Sequence, residues 1–198
     1  MPSAAPQPVA PSVVSRLALE IRLAGVLLFT LFTSLSAQVA VPMPPFGVPQ
    51  TLQTLAVILA ALCLGPRLGA ASMVLYFLMG AIGAGVFAEG NAGLRVILGQ
   101  TGGYLIGFVA CQPVVASLAR RARGPLVLNL ALASLAGHAV IFAIGVPWLY
   151  AVRNADPATT LTFREALFGG FVVFIPGTII KTALAMLIGL SLVPRRPR

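Results

Sequence analysis

ALFGGFVVFIPGTIIKTALAMLIGLSLV, residues 166–193, carries one charged side chain, Lys181, in an otherwise uncharged apolar run. A helix rises about 1.5 Å per residue, so such a run crosses a hydrocarbon core of about 30 Å. The stretch reads as a transmembrane helix. Lys181 is the only lysine in the chain and sits near the middle of this run. A cation at the centre of a membrane helix costs about 2.5–3.5 kcal/mol on insertion scales, which makes it a functional residue by default. Pro176 and Gly177 precede it. Proline lacks a backbone donor and crowds the carbonyl four residues back, so the carbonyl of Val172 is expected to be freed. Gly177 offers no side chain, so another group can approach the backbone there. With the short hydroxyl of Thr178, the segment reads as a place that holds a polar, anionic molecule.

The rest of the chain agrees with a membrane setting. Of 198 residues, 59% are hydrophobic and 9% charged, with a mean hydropathy of +1.00. A soluble domain of this length has too little interior for that apolar surface, so the class is an all-α integral membrane protein. The net charge of +9 would point to nucleic acid in a soluble protein. Here the charges gather at the ends of apolar runs, so membrane topology explains them and nucleic acid is excluded as a partner. Cys63 and Cys111 lie inside apolar segments and read as small buried hydrophobes. One histidine and two separated cysteines do not make a metal-ligand set, and no cofactor is indicated.

Six apolar runs follow one another: 23–41, 48–65, 68–88, 96–119, 126–152 and 166–193. The second is short, which makes it a tilted helix or one bounded by a re-entrant loop. Six spans put both termini on one side of the membrane. That side receives Arg16, Arg22, Arg67, Arg120, Arg121, Arg123, Arg195, Arg196 and Arg198 with one acid, Glu20. The other receives Arg95, Arg153 and Arg164 with Glu89, Asp156 and Glu165. The excess of arginine places both termini in the cytoplasm. Residues 1–15, rich in proline, are expected to be a flexible tail, 16–194 the membrane domain and 195–198 a basic tail. Pro42, Pro44, Pro45 and Pro49 make the outer loop 42–50 stiff, either a lid or a simple helix connection. On the first span, Thr33, Ser36, Ala37 and Ala40 form a small-residue face that suits either a partner helix or packing within the chain.

Polar residues near the outer ends supply further candidates. Gly99, Gly103 and Gly107 share a face suited to close helix packing, while Gln100, Thr101 and Tyr104 lie on the outer part of what reads as the same helix. Asn91 and Arg95 precede it in the outer loop, and Arg95 is either a fork donor for a carboxylate or a partner of Glu89. Gln53 stands near the outer end of the second span, facing the bundle interior or capping the interface. Ser134 and His138, spaced i, i+4, raise an intramembrane hydrolase. No Gly-x-Ser-x-Gly elbow surrounds Ser134 and no acid lies nearby in sequence, so catalysis is disfavoured. The chain also lacks a P-loop and so an ATPase of its own.

Several motifs in order carry a family resemblance. Thr51-Leu52-Gln53-Thr54-Leu55-Ala56-Val57, Leu64-Gly65-Pro66-Arg67-Leu68-Gly69-Ala70, Met79-Gly80-Ala81-Ile82-Gly83 through Val86-Phe87-Ala88, and Thr101-Gly102-Gly103-Tyr104-Leu105-Ile106-Gly107-Phe108 resemble the BioY family over about residues 20–193. This family comprises biotin-binding membrane components (S components) of energy-coupling-factor (ECF) vitamin transporters. The resemblance implies a six-helix S-component-like bundle in the bacterial plasma (inner) membrane and an outward-facing pocket that captures biotin. It also implies a transmembrane coupling protein and two cytoplasmic ATPases as partners. The family's final-helix motif looks like Pro-Gly-Asp-x-x-Lys; Pro176, Gly177 and Lys181 match it, and Thr178 stands at the aspartate. Expected substrate-binding residues are therefore Lys181, Thr178, Asn91, Tyr104, Arg95 and Gln53, with no catalytic residue. The alternatives are a self-sufficient secondary transporter of biotin or another small anionic solute, which lacks an acid within any span for a proton relay, and the disfavoured enzyme.

Overall fold

A computed structural model describes residues 13–43, 48–121 and 125–192. Most of the two expected tails, and Pro44, Pro45, Gly47 and Arg123, lie outside the described residues. The chain is a helical bundle with one short antiparallel ladder. Helix α1 (Val13–Gln38) leads to β1 (Ala40–Val41), which pairs with β2 (Gln50–Thr51). Then come α2 (Gln53–Ala81), a short α3 (Leu94–Leu98), α4 (Gly102–Arg121), α5 (Leu126–Asn154), α6 (Phe163–Gly170) and α7 (Ile175–Leu192).

Five helical stretches are long and apolar enough to cross a membrane. The sixth span is hidden inside α2, which is two helices joined at Gly65. In a continuous helix Gln53 and Tyr76 would stand about 35 Å apart. Instead the Gln53 amide donates a hydrogen bond to the Tyr76 hydroxyl. A Cβ on Gly69 would lie 3.3 Å from the carbonyl of Ala60. The two arms, 53–64 and 66–81, are therefore antiparallel, and Gln53 and Tyr76 lie almost equally far from the turn. Gly65 makes the reversal possible with φ 82° and ψ −175°, a region open essentially to glycine alone. Pro66 then starts the second arm at a position where a helix needs no N–H donor.

The first arm explains the marginal second run. Its twelve residues reach only about 18 Å, well short of the hydrocarbon thickness. It is nevertheless the most enclosed element of the bundle: Ala56, Val57, Ile58, Ala60 and Ala61 are all fully buried. Gln112 on α4 fixes it by donating to the carbonyl of Val57 at 3.0 Å. The remaining spans wrap around it. Helices α4 and α5 pack closely through Gly103 and Gly107, where an added Cβ would lie 2.3 Å from Trp148 Cβ and 2.8 Å from Ile141 Cα. The expected packing face is thus present, although Gly99 itself precedes α4, as do Gln100 and Thr101.

On α1, Thr33 and Ala37 are fully buried and Ser36 nearly so. Packing within the chain therefore accounts for these three. Thr30 ties α1 to α2 by donating to the carbonyl of Ser72 at 3.0 Å. The opposite face, with Leu27, Leu28, Leu31 and Leu35 exposed, is the apolar surface that a bilayer covers.

Two boundaries differ from the sequence reading. The third span ends at Ala81 rather than Ala88, and 82–101 folds as a cap containing the short α3. Gly83, Gly90 and Gly93 have positive φ there, which stops the helix despite the apolar composition. The last span breaks at Phe171 (φ −138°, ψ −58°), upstream of Pro176, which sits in the first turn of α7 where its missing donor is harmless. The carbonyl of Val172 is not freed, because the N–H of Ile175 donates to it across a 3₁₀ turn.

A Cβ at Gly65 would also overlap the guanidinium of Arg120, which rests against the turn. Gly65→Ala is expected to cost about 1–3 kcal/mol, chiefly from the forbidden backbone region. Thermal unfolding of the detergent-solubilised chain should show a lowered midpoint; an unchanged midpoint would refute the described turn.

Candidate functional site

A cavity of about 300 Å³ lies at the end of the bundle opposite the Gly65 turn. It is the space left above the short arm. Residues 48–51 come down into it as irregular and extended chain, a backbone form tolerated at membrane depth only where it lines a cavity or is buried in protein. The cap 82–101 covers it, contributing Phe87, Ala88, Glu89, Asn91, Arg95, Val96, Gly99, Gln100 and Thr101 to its wall. Phe87 anchors the cap: it is 1% exposed, stacks edge-on against Tyr76 at 5.5 Å and presses into the space above Gly80. Trp148, the only tryptophan, holds the rim by donating its indole N–H to the carbonyl of Gly99 at 2.9 Å.

Five of the six residues expected from the sequence line this cavity: Lys181, Asn91, Tyr104, Arg95 and Gln53. Lys181 is 4% exposed and lies eleven residues from the C-terminal end of α7, about 17 Å along the helix. It is brought there by the buried stripe Thr178, Lys181, Thr182, Ala185, Gly189, whose spacing follows one helix face. Its ammonium donates to the backbone carbonyl of Thr51 at 3.0 Å. That bond spans 130 residues and joins the last helix to the chain entering the first arm of α2. Gly177 permits the close approach: Gln50 occupies the place where its Cβ would be.

Gln53 is a buttress. Its side-chain oxygen accepts from the hydroxyl of Thr51 at 2.9 Å, its amide donates to Tyr76, and Tyr76 donates to the carbonyl of Val86 at 3.1 Å. This chain of bonds connects the entry strand, both arms of α2 and the cap. Tyr104 presents its ring to the cavity while its hydroxyl donates to the carbonyl of Gly170 at 2.9 Å. Asn91 and Arg95 stand exposed at the rim. The Asn91 amide donates to the carbonyl of Ala88 at 2.8 Å. Glu89, beside them, is held at φ 60°, a left-handed conformation uncommon outside glycine and costly enough to mark a functional segment.

Thr178 is placed differently. It is 9% exposed and its hydroxyl finds no partner, yet it is set back from the cavity wall. Thr54, in the first turn of α2, takes a position that sequence reading missed. It lines the cavity and its hydroxyl is buried without a partner. Once the α2 hairpin is known the signal is plain, since Thr51 and Thr54 flank Gln53. Phe108, Phe142 and Phe174 form an aromatic wall, with Phe142 and Phe174 at 5.9 Å.

The arrangement is that of a ligand pocket: one buried cation on the floor, one exposed cation at the rim, an aromatic wall between them and a few neutral hydrogen-bonding groups. Ser134 and His138 do not form a dyad. The Ser134 hydroxyl donates to the carbonyl of Leu130 at 2.7 Å, and His138 Nδ1 meets the backbone carbonyl of Ser134 at 2.9 Å.

Comparisons with known proteins give the family and the fold. The BioY family model matches residues 12–198. A probable biotin transporter BioY from Pyrococcus horikoshii is 41% identical over 163 residues, covering 82% of this chain and 90% of the relative. The biotin transporter BioY of Thermotoga maritima is 36% identical over 166 residues, covering 83% and 91%. That of Rhodobacter capsulatus is 33% identical over 159 residues, covering 77% and 82%. All three are named as transporters. The crystal structure of the S-component for biotin from an ECF-type ABC transporter superposes with a TM-score of 0.77 over 91% of this chain and 93% of that chain. Its identity is 24%, so this likeness bears on the fold alone. A family-model match along nearly the whole chain, relatives up to 41% identical and a six-span bundle lead to one assignment: this multi-pass membrane protein belongs to the BioY family.

Proposed function

We propose that the chain captures biotin in this cavity for uptake by an ECF transporter. The observation that carries the reading is the pocket itself: a cation at each end of one enclosed, aromatic-walled space in a protein whose relatives are named biotin transporters. Biotin has the matching poles, a carboxylate on a flexible chain and a ureido group on an apolar fused ring containing a thioether. A cavity of about 300 Å³ lies at the small end of the usual range for ligand sites.

Electrostatics sets the orientation. Burying a carboxylate is expensive even beside a cation, whereas at the exposed rim it keeps part of its hydration. The ligand carboxylate therefore belongs with Arg95, whose guanidinium suits a two-oxygen acceptor. The fused ring enters between Tyr104, Phe108, Phe142 and Phe174, and its ureido carbonyl receives a charge-assisted hydrogen bond from Lys181. The ureido N–H groups need acceptors. Thr178 is set back and carries no charge, so the Thr54 hydroxyl serves instead, and Gln53 holds the floor in shape. Thr178 contributes from behind, through Lys181 one turn away.

Delivery inward needs energy that this chain's own motifs do not supply, so the reading includes a transmembrane coupling protein and two cytoplasmic ATPases. The arginine balance supports cytoplasmic termini in a bacterial plasma membrane. The Gly65 turn and Arg120 share the end that this orientation turns inward.

Equilibrium binding of biotin to the purified chain, without partners, tests capture; absence of binding would overturn it. Lys181→Ala is expected to weaken binding at least tenfold, about 1.4 kcal/mol or more; equal affinity would remove Lys181 from the site. For Thr54→Val the outcome should split. Thermal stability should hold or rise, because an unpartnered buried hydroxyl is removed, while affinity falls several-fold through loss of an acceptor. Thr178→Asp should retain binding, since the new carboxylate has Lys181 within one helical turn; lost binding with an intact fold would show that the pocket depends on threonine.

A further inference from the structure

His138, the only histidine, lies outside the cavity wall and takes no part in the binding scheme above. It is 2% exposed. Its Nδ1 faces the backbone carbonyl of Ser134 at 2.9 Å. A carbonyl only accepts, so Nδ1 carries the ring proton. In the neutral ring Nε2 is then a lone-pair acceptor, and it is buried with no donor.

Two contacts fix what lies opposite. Helices α5 and α7 run antiparallel: Leu130 approaches Gly189 within 3.2 Å of where its Cβ would be, and Phe142 meets Phe174 at 5.9 Å. Counting equal steps along both helices sets His138 level with Thr178 and Lys181, with Thr182 close by. The Lys181 ammonium has three protons and, among the described residues, one hydrogen-bond acceptor, the Thr51 carbonyl. The hydroxyls of Thr178 and Thr182 are buried and equally without partners. Donors and acceptors are thus both left over in one layer of the bundle, behind the pocket floor.

From this we infer that one or more bound waters lie between α5 and α7, donating to His138 Nε2 and accepting from Lys181, which makes His138 a positioning residue for the lysine that floors the pocket. The chemistry selects water among small occupants. The ammonium disfavours a cation, the histidine lone pair disfavours an anion, and water is both donor and acceptor. A buried polar site with several partners is where internal water is retained. Without it, the ammonium would turn its remaining protons toward the cavity in no fixed direction.

The role assigned to His138 rests on the biotin reading; the water site itself does not. An experimental structure of the full chain, at a resolution that shows ordered solvent, should contain a water within about 3.2 Å of His138 Nε2. A dry interface, a halide there in bromide-containing crystals, or direct contact between Nε2 and the Thr182 hydroxyl would overturn the site. In biotin binding, His138→Leu is expected to weaken affinity at least fivefold. His138→Gln, which restores an acceptor near Nε2 and a donor to Ser134, should return it to within twofold. His138→Leu binding like the parent chain, or His138→Gln as weak as His138→Leu, would overturn the positioning role. If His138→Leu does not fold, the solvent structure decides. If the parent chain binds no biotin, the biotin reading fails and the water site is still judged from the structure.

Discussion

A single hydrogen bond, from the buried ammonium of Lys181 to the backbone carbonyl of Thr51, holds together the parts that make this pocket. The carbonyl is available because the first arm of α2 starts only at Gln53, leaving the preceding residues extended at depth. Had that arm continued outward as helix, its turns would fill the cavity and their carbonyls would bond along the helix axis. The shortness of one helix therefore creates both the empty space and the acceptor that orients the cation within it.

The bilayer makes such economy obligatory. Polar groups withdrawn from water need partners, and many of those near the cavity have one in the chain. Gln53, Tyr76 and the carbonyl of Val86 pass hydrogen bonds from the entry strand to the cap. Tyr104 and Trp148 use their polar tips on the carbonyls of Gly170 and Gly99 and offer apolar surface inward. The exceptions carry meaning. Thr54 is unpartnered on the wall, where a ligand can reach it, whereas Thr178, Thr182 and His138 are unpartnered behind it.

Much of this was legible in the residues. Apolar runs and arginine placement yield six spans even though one helix, read by length, conceals two. Lys181 announces itself as a lone cation, and five of the six anticipated site residues converge on one cavity. What stayed hidden depends on geometry at particular positions. Apolar composition over 82–88 reads as helix, but positive-φ glycines bend it into a cap. Pro176 reads as the break, yet the chain breaks five residues earlier at Phe171 and Pro176 merely starts the next helix. Thr54 was unremarkable until the hairpin fixed which face of the first arm looks into the cavity. Ser134 and His138 have catalytic residue types, but both bond to backbone carbonyls of their own helix.

The Gly65 turn has a consequence for biogenesis. An arm of about 18 Å cannot be released into lipid by itself, because its outer end would leave unbonded peptide groups in hydrocarbon. Its nascent chain must wait until residues 66–81 have emerged and folded back, so that the two arms leave the insertion machinery as one helical hairpin. Arg67, two residues past the turn, places at the bend a charge that resists translocation. The order of insertion is thereby written into a glycine, a proline and an arginine at the tip of the most deeply enclosed element of the protein.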